Sequence, residues 1–331
     1  LMSAYFRYQL RELPKTPLGH WTFWGEQRGG DNLGIVYWLY NITGDEFLLE
    51  LGDLIHRQTF DWTGILAGGE VIPTPFSLHC VNLAQGIKEP VVYYQRSNDP
   101  AHVAAVKKGF EDIRRYIGLP TGLYGGDEAL HGAAPTQGSE LCTAVEMMYS
   151  LEEMAEITGD VQFADHLERV AFNALPTQAT DAYDARQYYQ QVNQVMITDH
   201  RRNFEQSHDG TDILYGLLTG YACCTSNMHQ GWPKFTQNLW YATHDGGRDG
   251  LLALQRHGRS GRRRTGDDRR ADAIPLRRAD TFRDKDRRPQ GENGRIPAPP
   301  AHPRLVRGGD RSGERSGRGV ARERFRGGSA A

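Results

Sequence analysis

The hydrophobic positions in the first part of the chain recur at the spacing of amphipathic helices. Between residues 33 and 42 an apolar side chain stands at every third position, and a second apolar helix face covers residues 47–55. The tetrapeptide Ile42-Thr43-Gly44-Asp45 separates the two runs. Its glycine can end one helix in a left-handed conformation, and its aspartate can cap the next. The pattern therefore predicts two antiparallel helices joined by a tight turn.

The same pattern recurs later in the chain. Apolar residues at helical spacing cover residues 145–157, Ile157-Thr158-Gly159-Asp160 follows, and a second apolar face covers residues 163–175. A further helix is predicted over residues 101–117, started by Pro100. Repeated antiparallel helix pairs indicate an all-α fold, which is either a toroid or solenoid of hairpins or a plain helical bundle.

Composition divides the chain near residue 254. Residues 255–331 contain 21 Arg and one Lys against ten acidic residues, whereas all six Trp, all fifteen Tyr and all four Cys lie earlier. The first part has enough apolar and aromatic residues for a substantial core. The tail has no periodic apolar pattern and cannot offset the entropy cost of ordering. We therefore predict a folded domain over residues 1–254 and a disordered or frameshift-derived tail over residues 255–331.

The composition of the tail has two interpretations. A basic arm that binds nucleic acid usually mixes Lys with Arg and interleaves aromatic residues, and this tail does neither. A frameshift is favoured, because Arg, Gly, Ala, Pro and Asp dominate when GC-rich DNA is translated out of frame. Residues 1–254 carry 31 acidic against 17 basic residues, which disfavours nucleic acid as a partner.

The chain has no apolar run of membrane-spanning length, so no membrane association is predicted. The first residues, LMSAYFRYQLRELP, have no apolar signal-peptide core, and four cysteines do not make a disulfide scaffold. These features favour the cytoplasm over secretion for a chain that begins in this way.

The segments between the predicted helices contain the residues suited to chemistry. Residues 21–32, 77–88, 122–132 and 219–232 are rich in Gly, His, Asn, Gln and aromatic side chains. This composition is typical of a cleft that binds sugars, in which aromatic faces stack on rings and carboxylates bind hydroxyl groups. Four tryptophans are candidates to line such a cleft, namely Trp21, Trp24, Trp232 and Trp240.

Two adjacent cysteines, Cys223 and Cys224, stand in the segment GYACCTSNMH. They have three interpretations, namely a strained vicinal disulfide, two buried free thiols or part of a metal site. A metal site needs further ligands, and the predicted start of a helix at Glu140-Leu141-Cys142 offers a carboxylate and a third thiol. Three sulfurs and one oxygen suit zinc, which keeps a bound thiol deprotonated. Cys80 lacks a local partner and is predicted to be a buried structural thiol.

Three motifs, GGDEALHG (residues 125–132), SELC (139–142) and CCTSN (223–227), together resemble the domain-of-unknown-function 1680 proteins. This family includes the β-L-arabinofuranosidases of glycoside hydrolase family 127, and the resemblance covers roughly residues 3–254. It implies an (α/α)6 barrel followed by β-sandwich domains. Because only part of a twelve-helix toroid fits in about 250 residues, we expect the chain to begin inside the barrel, with the tail replacing the β-sandwiches.

The resemblance also implies a site and a mechanism. A zinc ion would be held by Glu140, Cys142, Cys223 and Cys224, and Cys223 matches the nucleophile that forms a thioglycosyl intermediate in a retaining glycosidase. Glu128 matches the general acid/base, and we expect it to stay protonated in a partly desolvated loop until it donates its proton.

Other candidates in the same loops are less specific. Asp127 is a rival carboxylate to Glu128, and Asn227 also matches the family pattern. His79 and His229 are candidates to bind hydroxyl groups of a carbohydrate substrate, or else packing residues. The alternative function is a non-catalytic carbohydrate-binding or structural zinc protein, and β-L-arabinofuranoside is the default substrate only because the family is best known for it.

Overall fold

The computed structural model of the protein describes residues 1–20, 22–69, 78–242 and 248–250. The predicted tail, residues 255–331, and the boundary at residue 254 lie outside the described residues, as does Trp21. The α-helices of the described part are α1 (Met2–Glu12), α2 (Phe23–Gln27), α3 (Gly29–Thr43), α4 (Phe47–Gln58), α5 (Trp62–Gly68), α6 (Cys80–Gly86), α7 (Glu89–Ser97), α8 (Pro100–Tyr116), α9 (Leu141–Thr158), α10 (Val161–Asn173) and α11 (Cys223–Gln237). Its strands are β1 (Gly126–Asp127), β2 (Ala129–Leu130), β3 (Ser139–Glu140), β4 (Tyr189–Gln190), β5 (Trp240–Ala242) and β6 (Arg248–Gly250).

The two copies of the Ile-Thr-Gly-Asp pattern form the predicted helical hairpins, α3–α4 and α9–α10. Gly44 and Gly159 end the first helix of each hairpin with φ angles of 71° and 68°, which glycine adopts at little cost. Asp160 caps α10 by accepting a hydrogen bond from a backbone N–H two residues later, at 2.9 Å. Asp45 makes no such bond, and α4 begins without a side-chain cap. The capping prediction is therefore right in the second copy and wrong in the first.

The longer helices pack together as a series of hairpins. Helices α3, α7, α9 and α11 contact one another in this order, while α4, α8 and α10 pack against α3, α7 and α9 respectively. Helix α9 is the centre of the core, because thirteen of its eighteen residues are buried. The arrangement confirms the all-α fold class, in the form expected for part of a helical barrel. Across the described residues, the helices are too short or too polar to cross a membrane.

A small sheet gathers the ends of several connecting segments beside α9. Its strands run in the order β2-β1-β3-β4, with β1 and β3 parallel and the other pairs antiparallel. Glu128 forms the turn between β1 and β2 with a positive φ of 85°, and a bridge from His79 adds to β2. Glu140 ends β3 opposite Tyr189 of β4. The sheet therefore brings four side chains from distant parts of the sequence to one place.

Candidate active site

The three cysteines of the predicted metal site lie at the beginnings of two helices. Cys223 and Cys224 are the first two residues of α11, Cys142 is the second residue of α9, and Glu140 immediately precedes α9. Helix N-termini have unpaired N–H groups and the positive end of the helix dipole, which favour thiolates and carboxylates. The two helices therefore direct four potential anions to a single point.

The separations of the four ligand atoms fit one tetrahedral zinc ion. The Sγ–Sγ distances are 3.8 Å for Cys142–Cys223, 3.3 Å for Cys142–Cys224 and 3.9 Å for Cys223–Cys224. Glu140 Oε1 lies 3.6 and 3.5 Å from the sulfurs of Cys223 and Cys224. Zn–S bonds of about 2.3 Å and a Zn–O bond of about 2.0 Å at tetrahedral angles give about 3.8 Å between sulfurs and about 3.5 Å between sulfur and oxygen. All four cysteines are free, so the vicinal disulfide interpretation is wrong.

The protonation preferences of this cluster also suit a divalent cation. Hydrogen bonds from the Cys142 and Cys224 thiols lower the pKa of Cys223 far below the usual value of a thiol. Burial raises the pKa of Glu140 and of Cys224 well above the ordinary range. The protein alone thus favours one thiolate, at the least buried of the four residues. A dication would offset the cost of ionising the other, buried ligands.

Glu128 is held by side chains and not by a helix end. Its Oε1 accepts hydrogen bonds from Tyr188 Oη at 2.5 Å and Tyr189 Oη at 2.9 Å, and its Oε2 accepts from His79 Nε2 at 2.9 Å. Burial alone would raise the pKa of Glu128, but the bonds from His79 and Tyr188 outweigh it and lower the pKa. The loop is partly desolvated as predicted. The expectation of a protonated Glu128 is wrong for this state, because three donors stabilise the carboxylate.

His79 and Cys80 support the two carboxylates without offering a second metal site. His79 Nδ1 accepts a hydrogen bond from the backbone N–H of Val81 at 3.2 Å, so Nε2 carries the proton and donates to Glu128. A protonated Nε2 cannot coordinate a metal, although it lies 3.8 Å from Glu140 Oε2. The Cys80 thiol donates to the same Glu140 oxygen at 3.5 Å. Cys80 is buried as predicted, and it also contacts a metal-ligand candidate.

Glu128 and Cys223 open into one cavity of about 880 Å³. Tyr188 connects them, since its hydroxyl lies 2.5 Å from Glu128 Oε1 and 3.9 Å from Cys223 Sγ. Asp127, the rival carboxylate, is fully buried, approaches His131 Nε2 at 3.4 Å and does not line this cavity. The cavity geometry therefore favours Glu128 for chemistry. Besides these groups, the lining includes Trp24, Arg28, His79, Gln85, Glu140, Cys142, Glu146, Glu205, Gln206, His208, Tyr221, Ser226, Asn227 and Gln230.

Helix α11 places Asn227 and His229 on different faces. Asn227 lies one turn after Cys223, lines the cavity and donates to Glu146 Oε1 at 3.0 Å. His229 lies two residues further on, about 200° around the helix, where its side chain is exposed and does not line the cavity. The structure therefore brings Asn227 to the candidate site and leaves His229 outside it.

The candidate tryptophans separate in the same way. Trp24 lines the cavity, and its ring centroid lies 5.9 Å from that of His79. Trp232 packs against Phe172 and Phe235, and the half-exposed Trp240 belongs to β5. Of the three that fall in the described ranges, Trp24 alone contributes to the cavity.

Sequence reasoning missed several residues of the site. Tyr188 and Tyr189 lie in the segment RQYYQQ, between α10 and α11, where no helical pattern marks a position. The adjacent tyrosines flanked by amides were the available signal. Glu146 follows Cys142 by one helical turn and so shares its face, which helical spacing could have indicated. His208 lies in another irregular stretch, HDGTD, whose turn residues gave no chemical signal.

Comparison with known proteins identifies the family of the chain. A family model described as the catalytic domain of β-L-arabinofuranosidases, glycoside hydrolase family 127, matches residues 2–237. The chain therefore belongs to this family, as its motifs predicted. A comparison with curated proteins finds no match.

Solved structures with low similarity include two members of the same family. A family 127 β-arabinofuranosidase is 20% identical, with a TM-score of 0.44, over 62% of this chain and 32% of its own. A family 127 β-L-arabinofuranosidase from Geobacillus stearothermophilus T6 is 18% identical, with a TM-score of 0.49, over 63% of this chain and 37% of its own. The match thus spans about a third of each of these enzymes, and the family assignment rests on the sequence model.

Proposed function

We propose that this chain carries the active site of a retaining glycosidase acting on terminal β-L-arabinofuranosides or closely related sugars. Cys223 is the nucleophile, Glu128 is the acid/base, and zinc is bound by Glu140, Cys142, Cys223 and Cys224. One observation carries the proposal. Cys223 is the least buried cysteine of a cluster whose ligand atoms are spaced as around a zinc ion, and it shares a cavity with the hydrogen-bonded carboxylate of Glu128.

The chemistry takes two steps at the anomeric carbon. The Cys223 sulfur attacks this carbon and forms a C–S bond while the glycosidic C–O bond breaks, and the acid form of Glu128 gives its proton to the leaving oxygen. The Glu128 carboxylate then takes a proton from water, whose oxygen attacks the same carbon. The C–S bond breaks, and Cys223 leaves as a thiolate. Zinc bound at the four ligands would keep their thiols deprotonated and so make Cys223 a better leaving group.

Glu128 must gain a proton before the first step, because its hydrogen bonds favour the carboxylate in the structure. A sugar that enters the cavity displaces water around this group, and desolvation raises the pKa of a carboxyl group. The ring oxygen or the hydroxyl groups of the sugar also compete with Glu128 for the hydrogen bond from the Tyr188 hydroxyl. Substrate binding and protonation of Glu128 are therefore coupled in this proposal.

The alternative is a carbohydrate-binding protein with a structural zinc ion and no turnover. It is favoured by the same three donors that hold Glu128 ionised, since an ionised carboxylate binds sugar hydroxyl groups well but donates no proton. The two functions use the same residues and differ in whether a glycosidic bond is cleaved.

A screen of p-nitrophenyl glycosides with the purified full chain separates the two functions. We expect hydrolysis of the β-L-arabinofuranoside, and loss of about 10³-fold or more of kcat in Cys223→Ser with an unchanged circular dichroism spectrum. His229→Ala, on the same helix but outside the cavity, is the matched control and should keep wild-type kcat. Activity in Cys223→Ser would exclude the nucleophile role. Zinc in the protein with no hydrolysis of any glycoside would favour the binding function.

A further inference from the structure

The cavity contains a histidine–aspartate pair that the proposed mechanism does not use. His208 lines the cavity, and its Nδ1 lies 2.6 Å from Asp212 Oδ1. Asp212 is 2% exposed. Its carboxylate also accepts hydrogen bonds from Ser207 Oγ at 3.2 Å and from the backbone N–H of His208 at 3.1 Å. The carboxylate thus holds both the ring and the backbone of this histidine.

These contacts determine the hydrogen-bonding state of the imidazole. An ionised carboxylate only accepts, so Nδ1 carries the proton, and Nε2 of the neutral ring keeps its lone pair. Among the described residues no group hydrogen-bonds His208 Nε2, and this atom is open to solvent. His79, the other cavity histidine, differs because both of its nitrogens are engaged. His208 therefore offers a free acceptor in the cavity.

The position of the pair ties it to the reactive groups. The His208 ring meets the Tyr188 ring edge-on, with centroids 4.9 Å apart. The backbone carbonyl of Asp212 accepts from the N–H groups of both Tyr188 and Tyr189, each at 3.0 Å. These are the tyrosines whose hydroxyl groups bind Glu128. One short loop therefore fixes the free imidazole nitrogen and the donors to Glu128 relative to each other.

We infer that His208 is a substrate-binding residue whose Nε2 accepts a hydrogen bond from a hydroxyl group of the terminal sugar, with Asp212 as its positioning residue. This inference rests on the proposed function for the class of ligand. A sugar without that hydroxyl leaves the nitrogen unpaired in the occupied cavity, so the contact contributes to the choice of sugar.

Two isosteric variants of His208 separate a binding role from a structural one. Asparagine places an amide N–H near the position of Nδ1 and has nothing at Nε2, whereas glutamine reaches the Nε2 position and loses the bond to Asp212. The full chain and both variants are titrated with L-arabinose by calorimetry, and their melting temperatures are measured. We expect His208→Asn to keep its melting temperature and lose about tenfold in affinity. His208→Gln should melt lower and lose less affinity.

Each outcome decides the inference. Weaker binding by the asparagine variant than by the glutamine variant supports it. Equal affinities, the opposite order or no binding of L-arabinose by the wild type overturns it. The proposed function is tested separately. If the chain hydrolyses a glycoside but the His208 variants bind L-arabinose as tightly as the wild type, the proposed function stands and the inference is wrong. If the variants bind L-arabinose more weakly in the expected order but no glycoside is hydrolysed, the inference stands and the proposed function is wrong.

Discussion

The two sides of the cavity hold their reactive groups by different means. On one side, Cys142, Cys223 and Cys224 take their positions from the first residues of two long helices, so the backbone determines where the sulfurs lie. On the other side, Glu128 is the single residue between β1 and β2 and is fixed by three side-chain donors from distant segments. The positions of the three sulfurs, here called the thiol side, should therefore withstand changes in neighbouring side chains. The protonation of Glu128, here called the acid side, should respond to each lost hydrogen bond.

The largest effect on the acid side is expected from Glu128→Gln. The amide cannot transfer a proton, so kcat should fall by about 10²–10⁴-fold, while the zinc content stays that of the wild type. Asp127→Asn is the neighbouring control, because Asp127 is buried beside His131 and away from the cavity. This control should lower the melting temperature with little loss of kcat. A greater loss of kcat in Asp127→Asn than in Glu128→Gln would reverse the assignment of the two carboxylates.

A smaller effect is expected on the thiol side from Cys80→Ala. This variant removes the thiol that donates to Glu140 Oε2, so the carboxylate is less firmly oriented toward the three sulfurs. Removing such supporting contacts typically lowers metal affinity about 10–100-fold. Competition with a chromophoric chelator measures the change, and Cys80→Ser, which keeps a donor, should lie closer to the wild type. An affinity unchanged in both variants would contradict the supporting role of Cys80.

The smallest effect is expected from Tyr189→Phe, which removes one donor to Glu128. The lost hydrogen bond stabilised the carboxylate, so the pKa of Glu128 should rise and more of it should be protonated at any given pH. At high pH, kcat/KM falls because Glu128 loses its proton. This basic limb of the pH profile should move to higher pH by roughly one unit or less. Tyr215→Phe, whose hydroxyl bonds a backbone carbonyl at Thr177, is the control. A limb that stays in place or moves to lower pH would contradict the role of Tyr189.

The same difference explains what could be predicted from the sequence. Helical periodicity located α3, α4, α8, α9 and α10, and glycine chemistry located the ends of α3 and α9. Glu140 and Cys142 stand at the start of α9, and Cys223 and Cys224 stand at the start of α11. The local sequence determines where a helix begins, so it also determines where these residues lie on their helices. The thiol side was therefore accessible to sequence reasoning.

The acid side was less accessible, because its contacts depend on tertiary structure. Tyr188, Tyr189 and His208 lie between α10 and α11 in segments without regular periodicity, and only the folded chain brings them to Glu128. The prediction that Glu128 is protonated was wrong for this reason. The sequence does not show that three hydrogen-bond donors meet at the Glu128 carboxylate. His229 stands next to the motif in the sequence, but the turn of the helix directs it away from Asn227.

The central claim is that Glu140, Cys142, Cys223 and Cys224 share one zinc ion, and metal analysis of the purified chain tests it most directly. After expression in zinc-supplemented medium, we expect elemental mass spectrometry to find one zinc ion per chain. A double variant, Cys142→Ala with Cys224→Ala, should lose the ion, whereas Cys80→Ser should retain it. A wild-type chain without zinc, or a double variant that keeps its full zinc content, would contradict the claim.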